Sequence, residues 1–323
     1  MPVNQTLANF SDLSFKTAFV IYCFALILSI VFYVKQTGVV DSRVKAKELV
    51  GAGGPNVVEV PSDSDFARRE ASAEKFAGMA QTMIWLAIII HGASVVLRGL
   101  SASRFPFGNL YEYVAMVTFV AMVISAWVIQ RRELRAMWPW VLTPVIALLF
   151  YGGMKLYAAS APVVPALQSF WFPIHVSTVS IGAGIGLISG MASLLYVLRM
   201  RQPVGKEHGV LGAVLRPLPS AQRLDSLAYK AAIWALPIFG LGVMLGAIWA
   251  ESAWGRFWGW DPKETISLVT WMLYAAYLHA RATSGWKNSA AAWINIAAFA
   301  TMVFNLFFIN MVVSGLHSYA GLN

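Results

Sequence analysis

Apolar residues in this chain neither alternate nor keep to one helical face. They fill continuous runs of about 17 to 26 positions, separated by polar breaks. A run of about 20 apolar residues, at 1.5 Å per residue, matches the ~30 Å hydrocarbon core of a bilayer. Eight runs qualify, at roughly 14–34, 76–97, 111–130, 138–156, 173–198, 230–250, 265–281 and 290–314. The pattern predicts an all-α polytopic integral membrane protein of about eight transmembrane helices, a single membrane domain over residues 1–323 with no internal repeat. Two connections are long and polar. Residues 35–75 carry Gly-Ala-Gly-Gly-Pro at 51–55 and seven acidic against seven basic residues, and residues 199–229 carry Pro203, Pro217 and Pro219. Both are expected to be flexible surface segments.

Composition agrees with this picture. The chain is 58% hydrophobic and 12% charged, with a mean hydropathy of +0.64, whereas soluble domains are about 25% charged. A net charge of +9 would suit a nucleic-acid partner, but its distribution has a different reading. Eight spans put both termini on one side. The loops opposite them, 35–75, 131–135, 199–230 and 281–287, hold 18 Lys and Arg, while the side of the termini holds Lys16, Arg98, Arg104, Lys155, Arg256 and Lys263. Basic residues favour the cytoplasm, so this bias predicts a multi-pass cell-membrane protein with both termini outside, and it accounts for the charge without nucleic acid. The first run follows an acidic start and lacks a small-residue cleavage site, which predicts an uncleaved helix. The one cysteine, Cys23, permits neither an internal disulfide nor a cysteine metal site.

The candidate chemistry lies in a loop between the sixth and seventh spans. Its core, WGRFWGWDPKE at 254–264, packs Trp254, Trp258 and Trp260 into seven positions. An interfacial belt needs single indoles, not a cluster. Two histidines share its outer level: His175, just after the Pro173 that opens span five, and His317, just past span eight. Two neutral imidazoles beside a wall of indoles suit a flat aromatic ligand with an axially coordinated metal, and haem meets that description. An aromatic belt with two incidental histidines is the competing reading. His279 lies about fourteen residues, roughly 21 Å, below Thr265, and so in the inner leaflet. Ionisable groups at that depth are functional candidates, although a histidine snorkelling to the inner interface fits the same position. His91, in span two, is expected to pack or hydrogen-bond, and His208 to be solvated. No catalytic acid, base or nucleophile stands out, and the chain has no CxxCH segment, so it is not itself a c-type cytochrome.

The stretch WGRFWGWDPKET resembles the tryptophan-rich WWD signature of haem-handling proteins of cytochrome c maturation, and within them the CcsA (ResC) family of the system II pathway. FPFGNLYEYV at 105–114, PALQSFWFPIHV at 165–176, AAYLHAR at 275–281 and NLFFINMVVSGLHSYAG at 305–321 resemble further segments of that family in its order. The resemblance implies a WWD loop at about 249–264, with Trp249, Trp254, Trp258, Trp260 and Asp261 against haem b. It implies His175 and His317 as axial ligands of that haem, and His279 as a ligand of a second, membrane-embedded haem whose other ligand comes from a CcsB (ResB)-type partner. The implied function is haem delivery from the inner leaflet and covalent attachment to an apocytochrome c CxxCH segment, as the synthase component of a haem-lyase complex. A haem exporter or chaperone without attachment activity, a haem b electron-transfer subunit and a structural subunit without cofactor remain as alternatives. This chain departs from the family's pattern at Arg104, where many relatives carry His; an arginine there could meet a haem propionate. Arg256 and Lys263 could do the same, while Asp261 and Glu264 could cap the helix that opens at Pro262.

Overall fold

The computed structural model describes residues 2–51, 62–283, 285, 286 and 289–317, and every regular element among them is helical. In chain order these are α1 (Gln5–Gly51), α2 (Asp63–Ser101), α3 (Leu110–Val128), α4 (Trp138–Lys155), α5 (Trp171–Arg201), the short α6 (Gly209–Leu215), α7 (Ala221–Trp254), α8 (Pro262–Ala282) and α9 (Ser289–Phe304). Turns of 3₁₀ helix precede α4 and α5, and α9 continues into a π-helical turn, Asn305–Ile309. Seven helices are long and apolar enough to cross a membrane, so the protein is a multi-pass membrane protein. The expected span at 265–281 is α8, which is not one of the seven. Lys263, Glu264, three hydroxyl residues, His279 and Arg281 dilute its apolar content. It packs between α7 and α9, burying Tyr274 and Tyr277.

The main core lies in the α1–α5 bundle, around Tyr22, Ile84, Met122, Leu142, Leu149 and Ile188. A second core joins α7, α8 and α9 through small residues, Ala232, Ala235, Ala291 and Ala298, opposite the two tyrosines. Small residues let helices approach closely where lipid supplies no hydrophobic driving force between them. The α5–α7 pair shows how closely: a Cβ on Gly182 would stand 2.9 Å from the Phe239 backbone, and one on Gly242 2.7 Å from Val179.

Among the described residues, both long connections are largely helical where flexible segments were expected. The helices α1 and α2, of 47 and 39 residues, extend about 70 and 58 Å at 1.5 Å per residue, well past a ~30 Å core. Their overhang is bound together by Arg43–Glu70 at 2.5 Å and by Lys35 donating to Ser72 at 3.1 Å. Ser62 opens α2 with a capping box to Asp65. Beyond Gly51, the glycine-rich stretch lies outside the described residues. In 199–229, Arg199 is 2% exposed and paired with Glu207 at 2.9 Å, while Leu215, Leu218 and Leu224 join the main core. Proline spacing suggested a loop, but the leucines among and after the prolines pack into the end of the bundle opposite the tryptophan loop. His208 is exposed, as expected.

Candidate functional site

The N-terminal ends of α5 and α8 and the C-terminal ends of α7 and α9 converge on one pocket that opens to the surface. His175, His317, Trp249, Trp258 and Lys263 line it, with Phe107 and Asn109 from the turn before α3.

His175 sits on the second turn of α5. Its Nδ1 lies 2.8 Å from the Gly242 carbonyl. A carbonyl can only accept, so Nδ1 carries the proton and, in the neutral ring, Nε2 carries the lone pair. The ring lies parallel to Trp249, 12° between planes and 5.8 Å between centroids. On α7, Gly246 leaves room for it, since a Cβ there would be 2.7 Å from His175 Cε1. Carbonyl, glycine and indole thus fix the ring's position and tautomer.

His317 is fixed by a carboxylate. Its Nδ1 donates to Asp261 Oδ2 at 2.7 Å, and the Leu316 N–H donates to Oδ1 at 2.8 Å. A Cβ on Gly315 would approach Asp261 Oδ1 to 2.7 Å, so only glycine lets this segment close on the carboxylate. Asp261 is also the N-cap of α8, in a capping box with Glu264 ahead of Pro262. Burial by itself would raise the Asp261 pKa, but the hydrogen bonds from His317 and Leu316 hold it below the usual carboxylate range. Burial pushes His317 down despite the pull of Asp261. The pair is therefore a carboxylate and a neutral imidazole, the form that binds metal.

Trp249 joins the two histidines. It is 1% exposed, donates Nε1–H to the Ala166 carbonyl at 2.9 Å, and lies 5.7 Å from the His317 ring, much as it does from His175. The two imidazoles therefore stand within twice that distance of each other, both in contact with one indole. Trp254 lies edge-on to both Trp249 and His317, at 4.8 and 5.0 Å. Trp260 faces away from the pocket: it is 68% exposed, with φ of 56°, and meets the edge of Trp258 at 5.8 Å.

The other candidates separate. His279 lies eighteen residues past Asp261, about 27 Å down α8, with its side chain exposed on the helix surface. His91 is fully buried among Phe15, Tyr22 and Phe119, within the α1–α3 bundle. Arg104 does not extend into the pocket as an anion partner. It grips Glu112 at 2.7 and 3.0 Å and donates to the Ala161 carbonyl, while Arg98 holds the same carboxylate at 2.9 Å. Gly108 N–H and Asn109 also bond to Glu112, so this network holds the pocket wall at 107–109. Arg256 pairs with Glu264 at 3.1 Å. Among the described residues no group of three His, Cys, Asp or Glu side chains could hold a bare metal ion. Histidine imidazole is the donor that a porphyrin-bound iron takes, and the pocket holds two.

Three features were not apparent from sequence: the clamp of Asp261 on His317, the close passage of Gly242 and Gly246, and the pair Asn305 and Asn310, which line the pocket and bond to Lys263. Signals for the last two were present. G-V-M-L-G at 242–246 is a small-xxx-small motif, and two asparagines five residues apart interrupt an apolar run.

The fold is that of a multi-pass helical membrane protein with a tryptophan- and histidine-lined pocket where four helices meet. The chain belongs to the cytochrome c assembly protein family, whose model matches residues 107–317. Its relatives include the cytochrome c biogenesis protein CcsA of Parasynechococcus marenigrum (strain WH8102), 30% identical over 271 residues, covering 77% of this chain and 88% of that protein. CcsA of Guillardia theta is 30% identical over 243 residues, covering 70% and 80%. Among solved structures, the cytochrome c haem lyase CcmF shares the fold at a TM-score of 0.60 and 12% identity, over all of this chain and half the length of CcmF. The protein thus has a role in cytochrome c biogenesis, as the sequence resemblance implied.

Proposed function

We propose that this protein binds haem b between His175 and His317, against the Trp249–Trp258 wall, and presents it there to an apocytochrome c CxxCH segment. The observation that supports the reading is the matched pinning of the two imidazoles. Each Nδ1 is held by an oxygen acceptor, and both rings rest on Trp249 within one pocket. Histidine ligands of metals characteristically donate their second N–H to a carbonyl or carboxylate in this way, which fixes the ring and strengthens the nitrogen donor.

Haem is the substrate here. Its two vinyl groups each take up one cysteine thiol to form a thioether. The residues supply no acid, base or nucleophile for that addition. They hold the macrocycle at a fixed height and angle, so that thiols arriving from the outer side meet the vinyls in a reactive geometry. Indole faces offset or edge-on to the ring contribute roughly 0.5–1.5 kcal/mol per contact beyond burial. His279, exposed near the inner end of α8, is the place where haem is taken up from the inner leaflet. As the family resemblance implies, the second ligand of that haem comes from a CcsB (ResB)-type partner. The same geometry disfavours a haem b electron-transfer subunit, which needs histidine pairs stacked across the bilayer; His91 lies in a different bundle. In this reading both termini and the tryptophan loop face outward from the plasma membrane.

The test is attachment of haem to a reporter CxxCH protein, in cells expressing the chain with its partner. His175→Ala and His317→Ala should each abolish most attachment, while His208→Ala leaves it intact. Normal attachment in either of the first two would overturn the proposal. Haem binding by the purified complex without any thioether product would leave the exporter reading in its place.

A further inference from the structure

The pocket contains one cation whose position the histidine pair does not explain. Lys263 occupies the second position of α8 and lines the pocket together with His175 and His317. Both carboxylates flanking it are already committed. Asp261 accepts from His317 and Leu316, and Glu264 accepts from Arg256 and the backbone N–H groups of Gly259 and Asp261. No carboxylate stands within 4.0 Å of the Lys263 ammonium among the described residues. Its hydrogen-bond partner is the amide oxygen of Asn310.

That contact is built with care. Where α9 gives way to the π-helical turn, Asn310 anchors its own amide by donating to the Asn305 and Leu306 carbonyls at 3.3 and 2.6 Å. Its Oδ1 is thereby left to face Lys263. Asn305 braces the other side, donating to the Lys263 carbonyl at 3.3 Å and to Ser267 at 2.8 Å. π-Turns recur at functional sites, and an ammonium in an apolar pocket is costly until an anion joins it.

Resting on the haem reading above, we propose that Lys263, held by Asn310, is the binding subsite for a haem propionate, and so sets the rotation of the macrocycle about the iron axis. Of the three cations, Arg104 is held by Glu112 and the Ala161 carbonyl, Arg256 pairs with Glu264, and neither lines the pocket, whereas Lys263 does. A lipid phosphate offers similar anionic chemistry, but the lysine lines the same cavity as the two histidines.

The test uses the full chain purified in detergent, titrated with iron protoporphyrin IX and separately with its dimethyl ester, which lacks both propionate charges. The unaltered protein should bind the free acid about tenfold more tightly than the ester, the worth of one charge-assisted hydrogen bond. Lys263→Gln should lose about tenfold for the free acid and nothing for the ester; Lys263→Arg should keep most of the preference. An unchanged two-imidazole spectrum with the ester shows that the variant is folded. Equal loss for both porphyrins, or no loss for either, would overturn the subsite. If the unaltered protein binds both equally through His175 and His317, the haem reading stands and the subsite fails. If it binds neither, both fall.

Discussion

Asp261→Asn separates the clamp on His317 from every other role of that residue. Asparagine caps helices as well as aspartate does, so the start of α8 is preserved. It is also isosteric, so Gly315 and Leu316 keep their space. What changes is the oxygen 2.7 Å from His317 Nδ1. If the amide turns its NH₂ toward the ring, two donors face each other and the imidazole must move its proton to Nε2. If it turns its oxygen toward the ring, the Leu316 N–H faces a donor instead. Either way a buried, charge-assisted hydrogen bond worth about 1.5–3 kcal/mol is lost. Outer-shell partners of metal-binding histidines typically carry 10–100-fold in affinity. Haem affinity of the purified chain should therefore fall by about that factor, measured by titration with the near-ultraviolet haem band as readout. The melting temperature in detergent should fall by no more than that one bond is worth, a few degrees, with helix content unchanged. Combining it with His317→Ala should add almost nothing to His317→Ala alone, because the two residues act as one unit. Unchanged affinity in Asp261→Asn beside a large loss in His317→Ala would refute the clamp. So would additive losses in the double variant.

Other perturbations probe the surrounding geometry. Gly246→Ala places a methyl 2.7 Å from His175 Cε1 and should displace that ring, shifting the haem spectrum while helix content by circular dichroism stays the same. Glu112→Gln leaves Arg98 and Arg104 without the buried carboxylate between them and should destabilise the protein by about 3–5 kcal/mol, read as a lower melting temperature in detergent. His279→Ala, at an exposed position, should leave the melting temperature unchanged yet lower the haem content of the complex with its partner; an unchanged haem content would remove it as the place of uptake.

The fold class was readable because the bilayer leaves a chain few choices. A long apolar run must satisfy its backbone internally, so each such run becomes a helix. Residues outside the bilayer carry no such constraint, and there the reading missed two features. The overhang of α1 and α2 is helical because the two helices satisfy each other's charges, as Arg43 and Glu70 do, and charge-rich sequence looks the same in a loop. The segment 199–229 folds inward through leucines spaced among prolines. At the site, His175, His317 and the tryptophans stood out by type and by shared level. The supporting contacts did not: they depend on which carbonyl, glycine or carboxylate meets each ring across helices far apart in sequence. Trp260, also in the signature, is exposed and reaches the site only through its edge contact with Trp258.

The central claim is that His175 and His317 share one haem iron, and the most direct test is the reduced-minus-oxidised optical spectrum of the purified chain and its single variants. The account predicts a low-spin, two-imidazole spectrum in the unaltered protein. That spectrum should be lost in both His175→Ala and His317→Ala, and partly restored by added imidazole. The same spectrum persisting in either variant, or no haem signal in the unaltered protein, would contradict it.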